Sequence, residues 1–386
     1  MIPRAAEPTL RSLAKGYPVI ALTGPRQSGK TTLARQVFAD KPYVSLEDLD
    51  TRTLAGEDPR GFLAPYHQDG AVFDEVQRCP ALFSYLQGLV DADPRPGRFV
   101  LTGSQQFGLM AGIAQSLAGR IALIHLLPFA RGECYPGRPT RSLDEVLFTG
   151  FYPPVHDRQL DPRLWCANYT QTYLERDVRQ LLNVRDLNTF QRFLRLCAGR
   201  TGQLLNLSAL ATDCGITHNT AKAWISLLEA SYIVFLLPPY HQNFNKRLIK
   251  TPKLYFLDTG LACWLLSIQT PQQLNTNAQR GALFESFVLS ELLKARYNQG
   301  LAGDLYFWRD RAGNEVDVVI PRGDRLHPLE IKSGQTLHGE YFSGLEKWLA
   351  LAGNVAAEPA LVYGGDQTRR HREIAVFPWW EEGWCR

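Results

Sequence analysis

Nothing in this sequence reaches the run of about 18 apolar residues that a membrane-spanning helix needs. The opening Met1-Ile-Pro-Arg-Ala-Ala-Glu-Pro carries no apolar core of a secretory signal. These absences lead us to expect a soluble, cytoplasmic protein without membrane association. The seven cysteines form no C-x-x-C pair, which argues against a zinc site or disulfide framework and fits a reducing compartment. No repeat holds a fixed period and no low-complexity tract interrupts the chain. Charge of one sign is also scarce: 42 Lys+Arg against 38 Asp+Glu leave a net +4, which permits contact with nucleic acid without arguing for it. What is present is ordinary globular material, 45% hydrophobic and 21% charged. At 386 residues it exceeds one hydrophobic core.

Three textures divide the chain. Up to about residue 150, short apolar runs alternate with helical stretches: Pro18 to Thr23, Tyr43 to Leu46, Ala71 to Asp74, Arg98 to Thr102 and Ile121 to Leu127, the last closed by Pro128. Strands apolar on both faces predict a parallel sheet covered by helices on each side. From about 161 the pattern becomes helical, with Trp165, Tyr169, Tyr173 and Leu174, then Phe190, Phe193, Leu194 and Leu196. Gly150-Phe151-Tyr152-Pro153-Pro154 between them reads as a hinge. An α/β texture returns near 279, with a long helix at Gly281 to Tyr297, strands at Leu305 to Trp308, Glu315 to Ile320 and His327 to Ile331, and a helix over Gly339 to Leu351. The expected domains are 1–150, 151–275 and 276–386.

Gly24-Pro25-Arg26-Gln27-Ser28-Gly29-Lys30-Thr31 matches G-x-x-x-x-G-K-[ST] between an apolar strand and a helix, with Thr32 following. Backbone amides there close on phosphates, Lys30 reaches the β- and γ-phosphates, and Thr31 is placed to ligate Mg²⁺, so ATP and Mg²⁺ are the expected cofactors. The strand Ala71-Val72-Phe73 ends in Asp74 and Glu75. Asp74 would hold Mg²⁺ through water, and Glu75 would polarise the water attacking the γ-phosphate. Thr102-Gly103-Ser104-Gln105 follows the next strand, and either Thr102 or Ser104 fits a role orienting that water. Arg120, in Ser116-Leu117-Ala118-Gly119-Arg120, reads either as an arginine finger toward a neighbouring subunit or as a plain surface arginine.

The order of P-loop, Asp74-Glu75, Thr102-Gly103-Ser104 and Ser116 to Arg120 resembles an AAA-type ATPase of the archaeal-ATPase group. That group includes a prokaryotic family with a winged helix and a C-terminal domain of unknown function with a nuclease-like fold. The resemblance covers nearly the whole chain and implies an ATP-driven homo-oligomer.

Leu207 to Leu237 reads as a helix-turn-helix. Ser208 caps a first helix, Gly215 turns the chain, and Thr217 caps a second helix bearing Asn219, Thr220, Lys222 and Trp224. The strand Tyr232 to Leu237 and the basic Asn245-Lys246-Arg247-Leu248-Ile249-Lys250 resemble a wing. The element either meets DNA, with Lys246, Arg247 and Lys250 on phosphates, or packs as a lid.

Further along, Glu285 lies on a helix, Asp317 in a strand, and Glu330 and Lys332 two apart near the end of another, on one face. Carboxylates holding a metal such as Mg²⁺ beside a lysine suit phosphodiester cleavage, with Asp317 and Glu330 as the metal ligands. The four residues resemble the acid, acid and E-x-K positions of PD-(D/E)xK nucleases, although no proline precedes Asp317. The competing reading keeps the fold as a platform, with Arg309 or Arg311 neutralising the acids. Three functions follow: an ATP-powered machine on DNA, branched or recombining DNA included; a nucleotide-gated regulatory switch with protein partners and an inert nuclease-like site; or a defence effector whose nuclease is gated by nucleotide.

Overall fold

The computed structural model describes residues 2–104, 113–174, 187–240 and 250–385. Gln105, the side chains of Tyr173 and Leu174, and the basic wing segment apart from Lys250 lie outside the described residues. The chain divides into two compact units. The first is Met1–Phe129 with Ala230–Tyr232 and Arg296–Ala302; the second is Ala130–Glu229, Ile233–Ala295 and Gly303–Arg386.

In the first unit β1 (Val19–Thr23), β2 (Tyr43–Ser45), β3 (Ala71–Asp74), β4 (Phe99–Gly103) and β5 (Ile121–His125) form a parallel sheet in the order β2-β3-β4-β1-β5. Alternation along β1 explains its two covered faces. Ile20 and Leu22 join Leu33 and Ala34 of the helix Lys30–Val37, while Val19 and Ala21 join Leu82, Phe83 and Leu86 of the helix Ala81–Ala92. The order has a chemical consequence. β4 lies between β1 and β3, so the carboxyl end of β4 stands between the P-loop and Asp74. Such carboxyl ends are where open α/β sheets bind ligands.

The second unit begins at Ala130. The helix Leu143–Thr149 buries Leu143, Val146, Leu147 and Phe148 within this unit, where the Leu147 carbonyl faces the Cys263 thiol at 3.7 Å. The Gly/Pro stretch read as a hinge is instead anchored. Phe151 and Tyr152 are buried, the Asp258 carboxylate accepts the Phe151 amide at 2.7 Å, and Gly150 has φ 66° with no room for a Cβ beside that carboxylate.

Helices Leu207–Cys214 and His218–Ala230 meet at Gly215, whose φ of 67° closes the first. The cap of that first helix is Asn206, whose side chain accepts from Ala209 N, not Ser208. Asn206 is the residue that still lies in extended backbone as the turn begins. Thr217 caps the second helix, accepting from Thr220 N at 3.1 Å. β6 (Gln203–Leu204), β7 (Val234–Leu237) and β8 (Lys253–Phe256) form an antiparallel sheet in the order β6-β8-β7. β7 starts two residues later than predicted, because Tyr232 sits at φ 55° and cannot continue a strand.

A six-stranded mixed sheet follows the helix Arg280–Asn298. It contains β9 (Tyr306–Arg309), β10 (Glu315–Arg322), β11 (Arg325–Lys332), β12 (Ala360–Tyr363), β13 (Arg369–His371) and β14 (Ile374–Pro378), in the order β13-β14-β12-β11-β10-β9. The hairpins β9-β10 and β10-β11 are antiparallel, and β12 pairs parallel to β11 and β14. The helix Ser343–Ala352 packs Leu345 and Trp348 onto this sheet with Val316 and Val319. Among the described residues no helix is long and apolar enough to cross a membrane.

Candidate functional site

The P-loop turns sharply because its backbone permits it. Gly24 has φ 151° and packs so tightly on the Leu126 carbonyl that a Cβ would collide with it. Gln27 at φ 60° and Gly29 at φ 90° complete the bend into the helix. Arg4 braces it from outside, donating to Ser28 O and Leu127 O at 2.7 Å each. Lys30 Nζ donates to Gly24 O at 3.0 Å and Pro25 O at 2.7 Å, closing the loop over itself. Burial pulls the Lys30 ammonium down to about 8 despite nearby Glu75 and Asp74, and Arg26 adds to the fall. Ser28 Oγ is buried without a protein partner. Thr32 is exposed one residue beyond Thr31.

The acidic pair is organised around this loop. Thr31 Oγ1 donates to Asp74 at 3.1 Å, Tyr43 OH donates to Asp74 Oδ2 at 2.6 Å, and Thr102 Oγ1 also donates to Asp74. Burial and then the bond to Asp74 raise the Tyr43 phenol, so it stays protonated as a donor. Glu75 takes a left-handed φ of 55°, which turns its side chain away from the strand line; Ser104 Oγ donates to it at 2.9 Å and Gln77 donates too. Thr102 and Ser104 thus divide between the two acids, one each. Oxygen donors from Thr31 and Asp74 suit a hard cation such as Mg²⁺, and the lysine with an orphaned buried hydroxyl suits a phosphate chain. Arg120 is ion-paired to Asp91, outside this group. The contributions of Arg4 and Tyr43 carry no motif; each comes from a distant point of the chain.

The second cluster lies wholly in the second unit. Lys332 Nζ bonds Glu330 Oε1 at 2.6 Å and lies 3.5 Å from Asp317 Oδ2, which also accepts the Ile331 amide at 2.8 Å. Asp317 sits at a register shift between β10 and β9, the kind of bulge that re-aims a side chain. Glu285 does not close a cage with the other two. Its Oε2 takes a hydrogen bond from Tyr255 OH at 2.9 Å, while the Lys332 ammonium occupies the space between Asp317 and Glu330. No group of three His, Cys, Asp or Glu among the described residues is arranged to hold a metal ion.

Burial, then Asp317, raises both Glu285 and Glu330 above the ordinary carboxylate range. For Lys332, burial pulls downward but Asp317 and Glu330 outweigh it and the pKa rises. Sequence reasoning missed β8 here. Lys253 is 4% exposed, pairs with Glu315, and is felt by Glu285 and Asp317. Of the two arginines expected to neutralise the acids, Arg309 instead faces Glu315 at 3.3 Å. In the helix-turn-helix, Asn219 and Lys222 are exposed, but Trp224 is buried edge-on against Phe190 and Phe193.

Fold and P-loop together define an AAA-type ATPase domain, and residues 16–135 match the family described as AAA domain. Residues 140–272 and 280–381 match two families described as Domain of unknown function, DUF8612 and DUF4143. Uncharacterized protein Rv2008c of Mycobacterium tuberculosis is 34% identical over 339 residues, covering 86% of this chain and 74% of its own length; Uncharacterized protein Mb2031c of Mycobacterium bovis gives the same figures. The chain belongs to the family of these mycobacterial proteins. Among solved structures it is similar to the Walker-type ATPase PABY2304 of Pyrococcus abyssi, at 15% identity over 67% of this chain and 94% of that one, TM-score 0.40. AMPPCP-bound DnaA from Aquifex aeolicus is 14% identical over 58% and 85%, TM-score 0.30.

Proposed function

We propose that this protein binds and hydrolyses ATP at the Gly24–Thr32 loop and couples that cycle to DNA, branched or recombining DNA included. The observation that carries the ATPase reading is the division of labour at the ends of β3 and β4. Thr31 and Thr102 converge on Asp74 for the metal, and Ser104 steadies Glu75 as the water-polarising base. Lys30 neutralises the phosphates, and bound Mg²⁺ would supply charge compensation on their oxygens. The sequence helix, three strands, helix, strand around Asp317, Glu330 and Lys332 supports a PD-(D/E)xK nuclease-like role in gripping or cutting the DNA. Assembly as a homo-oligomer belongs to the same reading, with Arg120 leaving Asp91 to face a neighbour's nucleotide.

A second reading is a nucleotide-gated switch or defence effector in which the nuclease-like site is inert. The hydrogen bond from Tyr255 to Glu285 and the ion pair of Lys332 with Glu330 Oε1 favour it, whereas Glu330 Oε2, buried without a protein partner, favours the first. The deciding experiment is steady-state ATP hydrolysis with Mg²⁺, alone and with single-stranded, duplex and four-way-junction DNA, following the integrity of labelled DNA in the same tubes. Lys30→Ala should lose ATP binding, and Glu75→Gln should hold ATP while turnover falls at least ~100-fold. Turnover indifferent to every DNA refutes the first reading, and wild-type turnover in Glu75→Gln refutes the assignment of the base.

A further inference from the structure

A cavity of about 480 Å³ opens beside the second cluster, walled by Arg138, Arg141, Gln335, Gly364, Trp379 and Trp380. We propose that it seats one nucleotide of a single nucleic-acid strand, holding the base against tryptophan and the phosphate on the two arginines, next to Asp317, Glu330 and Lys332. The proposal rests on the reading that this unit acts on DNA, and adds where the strand lies.

Four observations carry it. First, the cavity is built onto the cluster: Gln335 is three residues beyond Lys332, at most ~10 Å of chain, and the Gly364 amide donates to Lys332 O at 3.0 Å. Second, both cations have weak partners. Arg138 pairs with Asp366 at 3.1 Å where both side chains are more than 60% exposed, a bond that a phosphate readily replaces. Arg141 lies 5.7 Å over the Tyr135 ring and donates a long 3.3 Å bond to Thr149 Oγ1, so among the described residues it makes no close carboxylate pair that a phosphate would have to displace. Third, Arg138 lies 5.7 Å over the Trp380 ring, so cation and aromatic face already form the stacked platform that bases use. Fourth, the buried indole N–H of Trp380 has no acceptor in the protein, a vacancy that a phosphate or base oxygen would fill. Gly364 and Gly365 form the remaining wall and are packed so closely that a Cβ at either would collide with Ser333 O or the Tyr363 ring. Together these suit a planar, anionic unit better than an extended peptide, which would ask for an unpaired strand edge or an apolar groove.

The test uses the full chain and a fluorescein-labelled oligodeoxythymidylate in anisotropy titrations across salt, beside an abasic strand of equal length. The double variant Arg138→Ala/Arg141→Ala should bind at least ten-fold more weakly than wild type. It should also lower the salt slope by about 0.7, the amount that one neutralised phosphate adds on a single strand. Arg372→Ala, which removes an exposed arginine elsewhere on the unit, serves as the charge control and should bind as wild type. The abasic strand should bind wild type about ten-fold more weakly with an unchanged slope, a comparison needing no altered protein. If wild type binds the strand and the double variant binds it equally, this proposal alone falls; equal affinity for the abasic strand likewise overturns it. If wild type binds no strand at all, the DNA reading falls and takes the proposal with it.

Discussion

Replacing Lys253 by methionine tests whether β8 belongs to the acidic cluster. The ammonium is 5% exposed, pairs with Glu315, and offsets the charges of Glu285 and Asp317. Met preserves length and the packing over Phe307, so the change is mainly one of charge. Breaking a buried ion pair from one side costs ~3–5 kcal/mol. The Glu315 side chain is 23% exposed and keeps Arg309 at 3.3 Å, which moderates the loss to about 2–3 kcal/mol. At a urea slope of about 2–3 kcal/mol/M this moves the midpoint down by about 1 M. Intrinsic fluorescence reads the right part of the molecule, because all eight tryptophans lie between Trp165 and Trp384 in the second unit. Removing both partners, Lys253→Met/Glu315→Leu, should recover much of the loss, since no lone charge remains. The penalty should also grow with pH. Glu285 is raised above its unfolded value, so its folded form holds a proton that the unfolded chain has released; stability present at low pH is lost as pH climbs through the folded pKa, and without Lys253 that pKa rises further. A midpoint shift below about 0.3 M, or no recovery in the double variant, would refute the placement of Lys253.

Three further outcomes follow from the same geometry. Gly24→Ala should abolish binding of a fluorescent ATP analogue, because its φ of 151° and the Leu126 carbonyl leave no place for a methyl group; wild-type affinity would show that the loop does not hold this shape. ATP affinity should fall about ten-fold per pH unit above about 8, where the Lys30 cation is lost, and should stay level in Lys30→Arg if that variant still binds; a flat wild-type profile measured by equilibrium dialysis contradicts this. Trp224→Ala should cost ~3–5 kcal/mol in a thermal or urea melt, while Lys222→Ala stays within about 0.5 kcal/mol, and similar small losses for both would place Trp224 on the surface.

The shape of the candidate nucleotide site was legible because it is nearly local. A single loop of consecutive residues supplies the lysine and the hydroxyl, and the fully buried strands that frame it read directly from their apolar runs. Its unread parts are those that arrive from elsewhere: Arg4 reaches the loop from the N-terminal segment, and Tyr43 reaches Asp74 from the neighbouring strand. Helix capping failed at Ser208 for a related reason. Asn206 and Ser208 are both good caps by type, and only backbone conformation chooses between them.

The acidic cluster shows the limit more sharply. Period-two alternation correctly puts Glu330 and Lys332 on one face, and the same rule puts Lys253 and Tyr255 on one face of β8, but alternation does not say which partner a face meets. Without β8, three carboxylates and one lysine read as a metal cage. With it, a second ammonium and a phenol enter and Glu285 is turned to Tyr255; both pull its pKa back down against the rise that burial and Asp317 impose. The pairing and protonation of this cluster therefore depend on residues supplied by a strand that follows the helices Leu207–Cys214 and His218–Ala230, outside the region that carries the E-x-K pattern. Asp317 is the one carboxylate of the three fixed by a backbone amide, that of Ile331 in the adjacent strand, a contact that register alone can supply and that owes nothing to β8.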